Sequence, residues 1–87
     1  MHFKFSKHAL MQMKRRGIKK ELVEKIIHNP DNIIRQDKEL RIYSKLVNEL
    51  VNESSKNYLY RVFMNDLKEP KLVVTVYKTS KTQKYGY

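Results

Sequence analysis

The side chains that could carry chemistry in this sequence are mostly Lys, Arg, His and Tyr. The 87 residues include no Cys, which excludes a disulfide framework and a thiolate metal site or nucleophile. Gly17 and Gly86 are the two glycines, too few for a glycine-rich phosphate loop. The three His residues lack the spacing of metal ligands, and the nine acidic residues are scattered without an evident catalytic pair. We therefore expect no metal site and no cofactor.

Basic residues are concentrated at the two ends of the chain. Residues 1–20 contain seven Lys and Arg, residues 71–87 contain four, and neither segment has an acidic residue. Residues 21–70 contain eight basic and nine acidic residues, so the ends account for the whole net charge of +10. If the fold brings the ends together, they form one cationic surface suited to a nucleic acid or an acidic protein. The alternative is that the basic ends only solvate the chain.

This set of side chains suits RNA cleavage and RNA binding equally well. Cleavage by the RNA's own 2′-hydroxyl needs a base for that hydroxyl, an acid for the departing 5′-oxygen and cations around the pentavalent phosphate. Arg and Lys supply the cations, and His or Tyr can carry the proton. Arg, Lys and Tyr also bind RNA without cutting it, through phosphate contacts and base stacking. Composition alone does not separate the two functions.

Two helices are predicted in the first third of the chain. Ser6 stands at an N-cap position and Gly17 at the position after a helix end, which predicts a helix over residues 7–16. A second helix over residues 19–28 ends at Asn29-Pro30, because the residue before Pro resists the helical region. The apolar residues predicted to face the core from these helices are Ala9, Leu10, Met13, Leu22, Val23, Ile26 and Ile27.

Most of the remaining sequence is typical of strands. The predicted strands cover residues 2–5, 32–36, 40–46, 58–65 and 72–77. Residues 47–57 allow either a continued strand or a helical turn before a loop. The whole chain, residues 1–87, is therefore predicted to form one α+β domain, with two N-terminal helices on one face of a curled antiparallel sheet. With no apolar stretch long enough for a bilayer and no signal-peptide pattern, we expect a soluble cytoplasmic protein.

Three short blocks carry a resemblance to a known family. Phe5-Ser6-Lys7-His8-Ala9 is followed by Arg16-Gly17-Ile18, and the second helix ends at Asn29-Pro30-Asp31. This pattern resembles a small bacterial and archaeal domain-of-unknown-function family with the signature F-[ST]-x-H-A-x-x-R-M-x-x-R-G-I. That family is similar to the BrnT and RelE/ParE-type toxins of toxin–antitoxin systems. Gln12 stands where the signature usually has Arg, which removes one cation from the helix face.

The resemblance implies a fold, an activity and a partner. The fold would be a compact RelE/BrnT-like microbial RNase type. The activity would be metal-independent endoribonuclease cleavage of RNA, including ribosome-bound mRNA, and an acidic or DNA-binding antitoxin protein would neutralise it. Related proteins that inhibit DNA gyrase share the fold without the cleavage chemistry, so the fold does not settle the function. A gyrase-directed inhibitor and a non-catalytic module that binds RNA or protein are therefore the alternatives.

Five residues are the candidates for catalysis. His8 and Arg16 match the signature, with His8 as general base or acid and Arg16 as a cation on the scissile phosphate. Arg61 lies mid-strand between apolar residues, where an Arg either pairs with an acid or lines a concave site. Lys78 and Tyr85 are in the C-terminal zone that carries functional basic and aromatic residues in RelE-like toxins. His8 and Arg16 each have a structural alternative. For His8 it is to cap or bond a neighbouring strand and fix the helix, and for Arg16 it is to be a cation at the carbonyl end of the helix.

Four further residues are candidates for RNA binding. Arg15 lies on the same predicted helix as Arg16, and the alternative for it is a plain surface charge. Tyr77, Lys81 and Lys84 belong to a run of aromatic and basic residues at the end of the last strand, which could close over RNA. The alternative for that run is a frayed basic tail.

Overall fold

The computed structural model describes residues 3–87, so His2 of the predicted first strand lies outside the described residues. The elements in chain order are β1 (Phe3–Phe5), α1 (Lys7–Arg16), α2 (Lys20–His28), β2 (Asn32–Arg35), β3 (Leu40–Val51), β4 (Ser54–Asn65), β5 (Lys71–Thr79) and a 3₁₀ turn (Thr82–Tyr85). This order of one strand, two helices and four strands confirms the predicted α+β class. Within the described residues, neither helix is long and apolar enough to cross a membrane.

The five strands form one open, mixed sheet in the order β1-β5-β4-β3-β2. The pairs β2–β3, β3–β4 and β4–β5 are antiparallel, whereas the pair β1–β5 is parallel. The prediction of a purely antiparallel sheet was therefore wrong at one edge. The alternation of side chains that identifies a strand carries no information on which strand lies beside it or in which direction it runs.

The ends of α1 follow from two residues. The Ser6 side chain accepts a hydrogen bond from the Ala9 N–H at 3.0 Å, which satisfies one of the unpaired donors of the first turn. Gly17 adopts the left-handed conformation with a φ of +67°, and the Ile18 N–H donates to the Met13 carbonyl at 2.8 Å. The predicted helix over residues 7–16 is confirmed to the residue.

The hydrophobic core lies between the two helices and one face of the sheet. Buried residues of both helices pack against β3, β4 and β5, and Leu22 is partly buried at the margin. The prediction was wrong for Leu10, whose side chain is 39% exposed, because it lies at the edge of the apolar stripe of α1. The core residues are Ala9, Met13, Ile18, Val23, Ile26, Ile27, Tyr43, Tyr60, Val62, Met64, Val73 and Val76.

Side chains of α1 complete the hydrogen bonding of the outer edge of β5. The short β1 covers that edge only opposite Lys71–Val73. Beyond this point the Val76 N–H donates to Gln12 Oε1 at 3.0 Å, and Arg16 Nη2 donates to the Lys78 carbonyl at 2.6 Å. The C-terminal end of α1 is thereby held beside the C-terminal end of β5.

The segment that the sequence left open, residues 47–57, continues two strands around a tight turn. β3 and β4 pair without a break from Leu40 and Asn65 to Val51 and Ser54. Asn52 and Glu53 connect them with φ values of +51° and +66°, the left-handed pair that a two-residue hairpin turn requires. The long hairpin places Glu49 of β3 in one cleft with Leu22 and Lys25 of α2.

The N-cap of α1 gives a stability prediction. The Ser6 hydroxyl caps the helix and also donates to the Val74 carbonyl at 3.2 Å, so it ties α1 to β5. We expect Ser6→Ala to lower the free energy of unfolding by about 1 kcal/mol or somewhat more, measured by urea denaturation. Ser80→Ala, at an exposed bend, is the control and should change it little. Equal destabilisation by the two substitutions would contradict the capping role.

Candidate functional site

An open cleft of about 470 Å³ lies where the end of α1, the end of β5 and the C-terminal turn meet. We call it the cationic cleft. The residues that line it are Arg16, Tyr58, Tyr77, Lys78, Thr79, Ser80, Lys81 and Lys84. A smaller adjoining cleft of about 210 Å³ is lined by Gln12, Arg15, Arg16, Val76, Tyr77 and Lys78.

The cationic cleft unites the two basic ends of the chain. Arg16 comes from the N-terminal segment, and Lys78, Lys81 and Lys84 come from the C-terminal one. The described residues of the lining include no carboxylate, and of its four cations Lys78 alone has an ion-pair partner among the described residues. A concave surface with charges of one sign concentrates oppositely charged ligands.

The Arg16 guanidinium is fixed at the wall of the cleft. It is exposed, and its one hydrogen bond among the described residues goes to the Lys78 carbonyl at 2.6 Å. A guanidinium has five N–H donors, so this bond leaves most of them available to an anion. The contact gives Arg16 a structural role without using up its capacity to bind a phosphate.

Lys78 is held by a carboxylate and two aromatic rings. Its ammonium Nζ lies 2.9 Å from Glu49 Oε1, and the other oxygen of Glu49 accepts a hydrogen bond from the Tyr60 hydroxyl. The same Nζ lies 4.3 Å from the centre of the Tyr58 ring and 5.4 Å from that of Tyr60, within the range of cation–π attraction. The ammonium therefore has a defined position.

The protonation states of this group follow from its contacts. Burial alone would raise the pKa of Glu49, but hydrogen bonds from Tyr60 and Lys78 and the charge of Lys78 lower it below its ordinary value. Burial and the hydrogen bond to Glu49 raise the pKa of Tyr60. Burial alone would lower the pKa of Lys78, but its contacts with Glu49 and Tyr60 raise it. Near neutral pH the group is a carboxylate, a neutral phenol and an ammonium.

Tyr77 is a phenol in a cationic environment. The neighbouring side chain of Tyr85 lowers the pKa of Tyr77, and so does that of Thr79. The positive charges of Lys84 and Arg16 lower it further and outweigh the opposing effect of burial. Tyr77 is therefore more easily deprotonated than a free tyrosine, and it lies in the lining of the cleft.

The Arg61 side chain packs on aromatic rings and is not among the residues that line the cationic cleft. Its guanidinium carbon lies 4.5 Å from the centre of the Tyr85 ring and 5.4 Å from that of Phe63. Because Tyr85 ends the 3₁₀ turn that carries Lys84, this stacking fixes the turn against β4. The run after β5 is thus docked on the sheet rather than a frayed tail.

The structure brings most of the predicted site residues together, but not all of them. Arg15 and five residues of the cationic cleft lie side by side, and Arg61 and Tyr85 support that cleft from the adjoining sheet face. His8 does not belong to this cluster. It is exposed near the start of α1, about 12 Å along the helix axis from Arg16 at 1.5 Å per residue. Within residues 3–87, no group of three or more His, Asp or Glu side chains could hold a metal ion.

Sequence reasoning missed Glu49, Tyr58 and Tyr60 as parts of the site. Glu49 lay in the segment whose conformation was left open, and the two tyrosines were interpreted only as strand residues. The signal that could have found them is Asn52-Glu53, a possible two-residue turn between two alternating segments. Extending both strands to that turn places Glu49 on the same side of the sheet as Tyr60.

Comparison with known proteins identifies the family. The family model described as "Domain of unknown function (DUF4258)" matches residues 5–78. The chain belongs to the DUF4258 family. The predicted membership of a domain-of-unknown-function family is thereby confirmed, whereas the likeness to BrnT and RelE/ParE toxins stays a prediction. No curated protein and no solved structure matches the sequence. The matched DUF4258 region includes Arg16, Tyr77 and Lys78 and ends before Lys81.

Glu49 makes the stability of this DUF4258 domain depend on pH. Because its pKa is lower in the folded state, its ionisation stabilises the fold above the unfolded pKa of about 4.3, and this contribution is lost as the pH falls towards the folded value. We expect the difference in free energy of unfolding between the wild type and Glu49→Gln to shrink from pH 6 to pH 3.5. Urea denaturation at both pH values measures it.

The matched control is Glu53→Gln, at the exposed turn of the same hairpin. It should leave the pH dependence of the wild type nearly unchanged. A difference between wild type and Glu49→Gln that stays constant from pH 6 to pH 3.5 would contradict the interaction of Glu49 with Lys78 and Tyr60.

Proposed function

We propose that this protein binds RNA in the cationic cleft and cleaves it by attack of the RNA's own 2′-hydroxyl. The observation that carries the proposal is the convergence of four cations and a phenol of lowered pKa on one open cleft, whose described lining residues include no carboxylate. These groups match the cations and the proton acceptor that the reaction needs, and three separate segments of the chain supply them.

The cations account for phosphate binding. Arg16 offers a planar set of N–H donors that can bind two oxygens of one phosphate, and the Lys side chains add point charges around it. Because the pKa of Lys78 is raised, Lys78 stays cationic through the reaction. Its role is to stabilise the charge that develops on the pentavalent phosphate, not to transfer a proton.

Tyr77 is the proton acceptor in this proposal. The phenolate form of Tyr77, which its lowered pKa favours, takes the proton of the 2′-hydroxyl as the 2′-oxygen forms a bond to phosphorus and the bond from phosphorus to the 5′-oxygen breaks. The leaving 5′-oxygen takes a proton from water, and the hydroxide that remains takes the proton back from Tyr77. The products are a 2′,3′-cyclic phosphate and a 5′-hydroxyl. Tyr77 takes the place that the sequence suggested for His8, because Tyr77 lines the cleft and His8 does not.

The proposal includes a toxin-like role with a RelE/BrnT-type fold. Two helices on one face of a curled sheet, with basic and aromatic residues at the end of the last strand, support it. The partner would be an antitoxin with an acidic segment, since the same cations that attract RNA would attract carboxylates. Such a segment would occupy the cleft and exclude RNA from it.

Point variants expressed in bacterial cells test the proposal. We expect the wild type to arrest growth and produce new 5′-hydroxyl RNA ends. Tyr77→Phe should reduce those ends by about 100-fold, the lower range of general acid–base catalysis, because it removes the proton acceptor. His8→Ala is the matched control and should retain them. Mapping in cells also detects an enzyme that acts only on ribosome-bound mRNA.

Three outcomes would contradict the proposal in different ways. Ends that persist in Tyr77→Phe and vanish in His8→Ala would return the proton transfer to His8. No new ends from a folded protein that still binds RNA would identify a non-catalytic binding module. Growth arrest with DNA damage and without RNA ends would favour a gyrase-directed inhibitor.

A further inference from the structure

Lys78 lies at the boundary between two clefts. On one side is the cationic cleft, and on the other is a cleft of about 420 Å³ between α2 and the sheet. This cleft beside α2 contains Glu49, whose carboxylate contacts Lys78. The residues that line it are Gly17, Lys19, Glu21, Leu22, Lys25, Glu49, Tyr60 and Lys78.

The carboxylate of Glu49 is itself fixed in place. One of its oxygens accepts from the Tyr60 hydroxyl, and the Tyr60 side chain is almost fully buried. The other oxygen contacts Lys78 Nζ at 2.9 Å, and the two side chains of this ion pair are only 27% and 21% exposed. A chain of contacts therefore runs from the protein core through Glu49 to the ammonium of Lys78.

We propose that Glu49, seated by Tyr60, is a positioning residue that holds the Lys78 ammonium where it can contact an RNA phosphate. A lysine has a flexible four-carbon chain, and ordering it when RNA binds costs conformational entropy. Holding the chain in advance reduces that cost. The ammonium has three donors, and Glu49 takes one of them, which leaves two for a phosphate. This inference rests on the proposed RNA-binding function.

A positioning role and a purely electrostatic role of Glu49 predict opposite changes in RNA affinity when its carboxylate is removed. A carboxylate near the cleft repels RNA, so Glu49→Gln raises the net charge by one and should tighten binding if charge alone acts. If Glu49 positions Lys78, the same substitution should weaken binding, because the ammonium loses its defined place. The sign of the change therefore decides between the two explanations.

The test is the affinity for a single-stranded RNA oligonucleotide whose 2′-hydroxyls are methylated, so that it cannot be cleaved. We expect Glu49→Gln to raise Kd about three- to tenfold at fixed salt, a range that matches the net contribution of one ordinary hydrogen bond. Tyr60→Phe should change Kd in the same direction by a smaller factor. Glu21→Gln is the matched control, because Glu21 lines the same cleft as Glu49 and has no ion pair among the described residues. This substitution should leave Kd unchanged or lower it slightly.

A double-mutant cycle and an NMR titration complete the test. In a Lys78→Ala background, Glu49→Gln should no longer raise Kd, because the residue that it positions is absent. The pKa of the Lys78 ammonium, followed in protein with isotope-labelled lysine, should fall in Glu49→Gln and stay unchanged in Glu21→Gln.

The outcomes distinguish the two proposals. Tighter RNA binding by Glu49→Gln, or an unchanged pKa of Lys78 in that variant, would overturn the positioning role while RNA binding by the wild type still stands. A wild type that binds no RNA, with a Lys78 pKa that still falls in Glu49→Gln, would overturn the RNA-binding function and leave the control of Lys78 by Glu49 supported.

Discussion

The outer edge of β5 is the constraint on which the site depends. Among the described residues, three of β1 pair with this edge, opposite Lys71–Val73, so the backbone groups of β5 after Val73 need other partners. The side chains of Gln12 and Arg16, one turn apart on α1, hydrogen-bond to Val76 and to Lys78. The same contacts hold the basic end of α1 against the basic end of β5. The same two side chains thus satisfy backbone hydrogen-bonding groups at the edge of β5 and bring together the two walls of the cationic cleft.

Gathering positive charge in one place is unfavourable for the fold, and the structure offsets it in two ways. Glu49 neutralises Lys78 from the neighbouring cleft, so that the carboxylate is absent from the lining of the cationic cleft itself. Aromatic rings also contact cations, with Arg61 over Tyr85 and the same Lys78 over Tyr58. Among the described residues Arg16, Lys81 and Lys84 have no ion-pair partner, and these cations and the two free donors of Lys78 are available to a polyanionic ligand.

Local features of the fold could be predicted from the sequence, and distant pairings could not. The ends of α1 followed from Ser6 and Gly17, because capping depends on neighbours in the chain. The parallel contact of β1 with β5 joins segments nearly seventy residues apart, and no local pattern encodes it. The same distinction applies to the site. The family signature predicted Arg16, and the resemblance of the C-terminal basic and aromatic run to RelE-like toxins predicted Lys78. Glu49 could be placed only once the β3–β4 hairpin had a defined register.

The proposed function requires that the cationic cleft binds RNA. The most direct test is an NMR titration of ¹⁵N-labelled protein with a 2′-methylated single-stranded RNA. We expect the largest chemical-shift changes at the amides of residues 76–84 and at the end of α1 near Arg16, with little change in β2 (Asn32–Arg35) at the opposite edge of the sheet. Changes centred on β2, or none at all, would contradict the account.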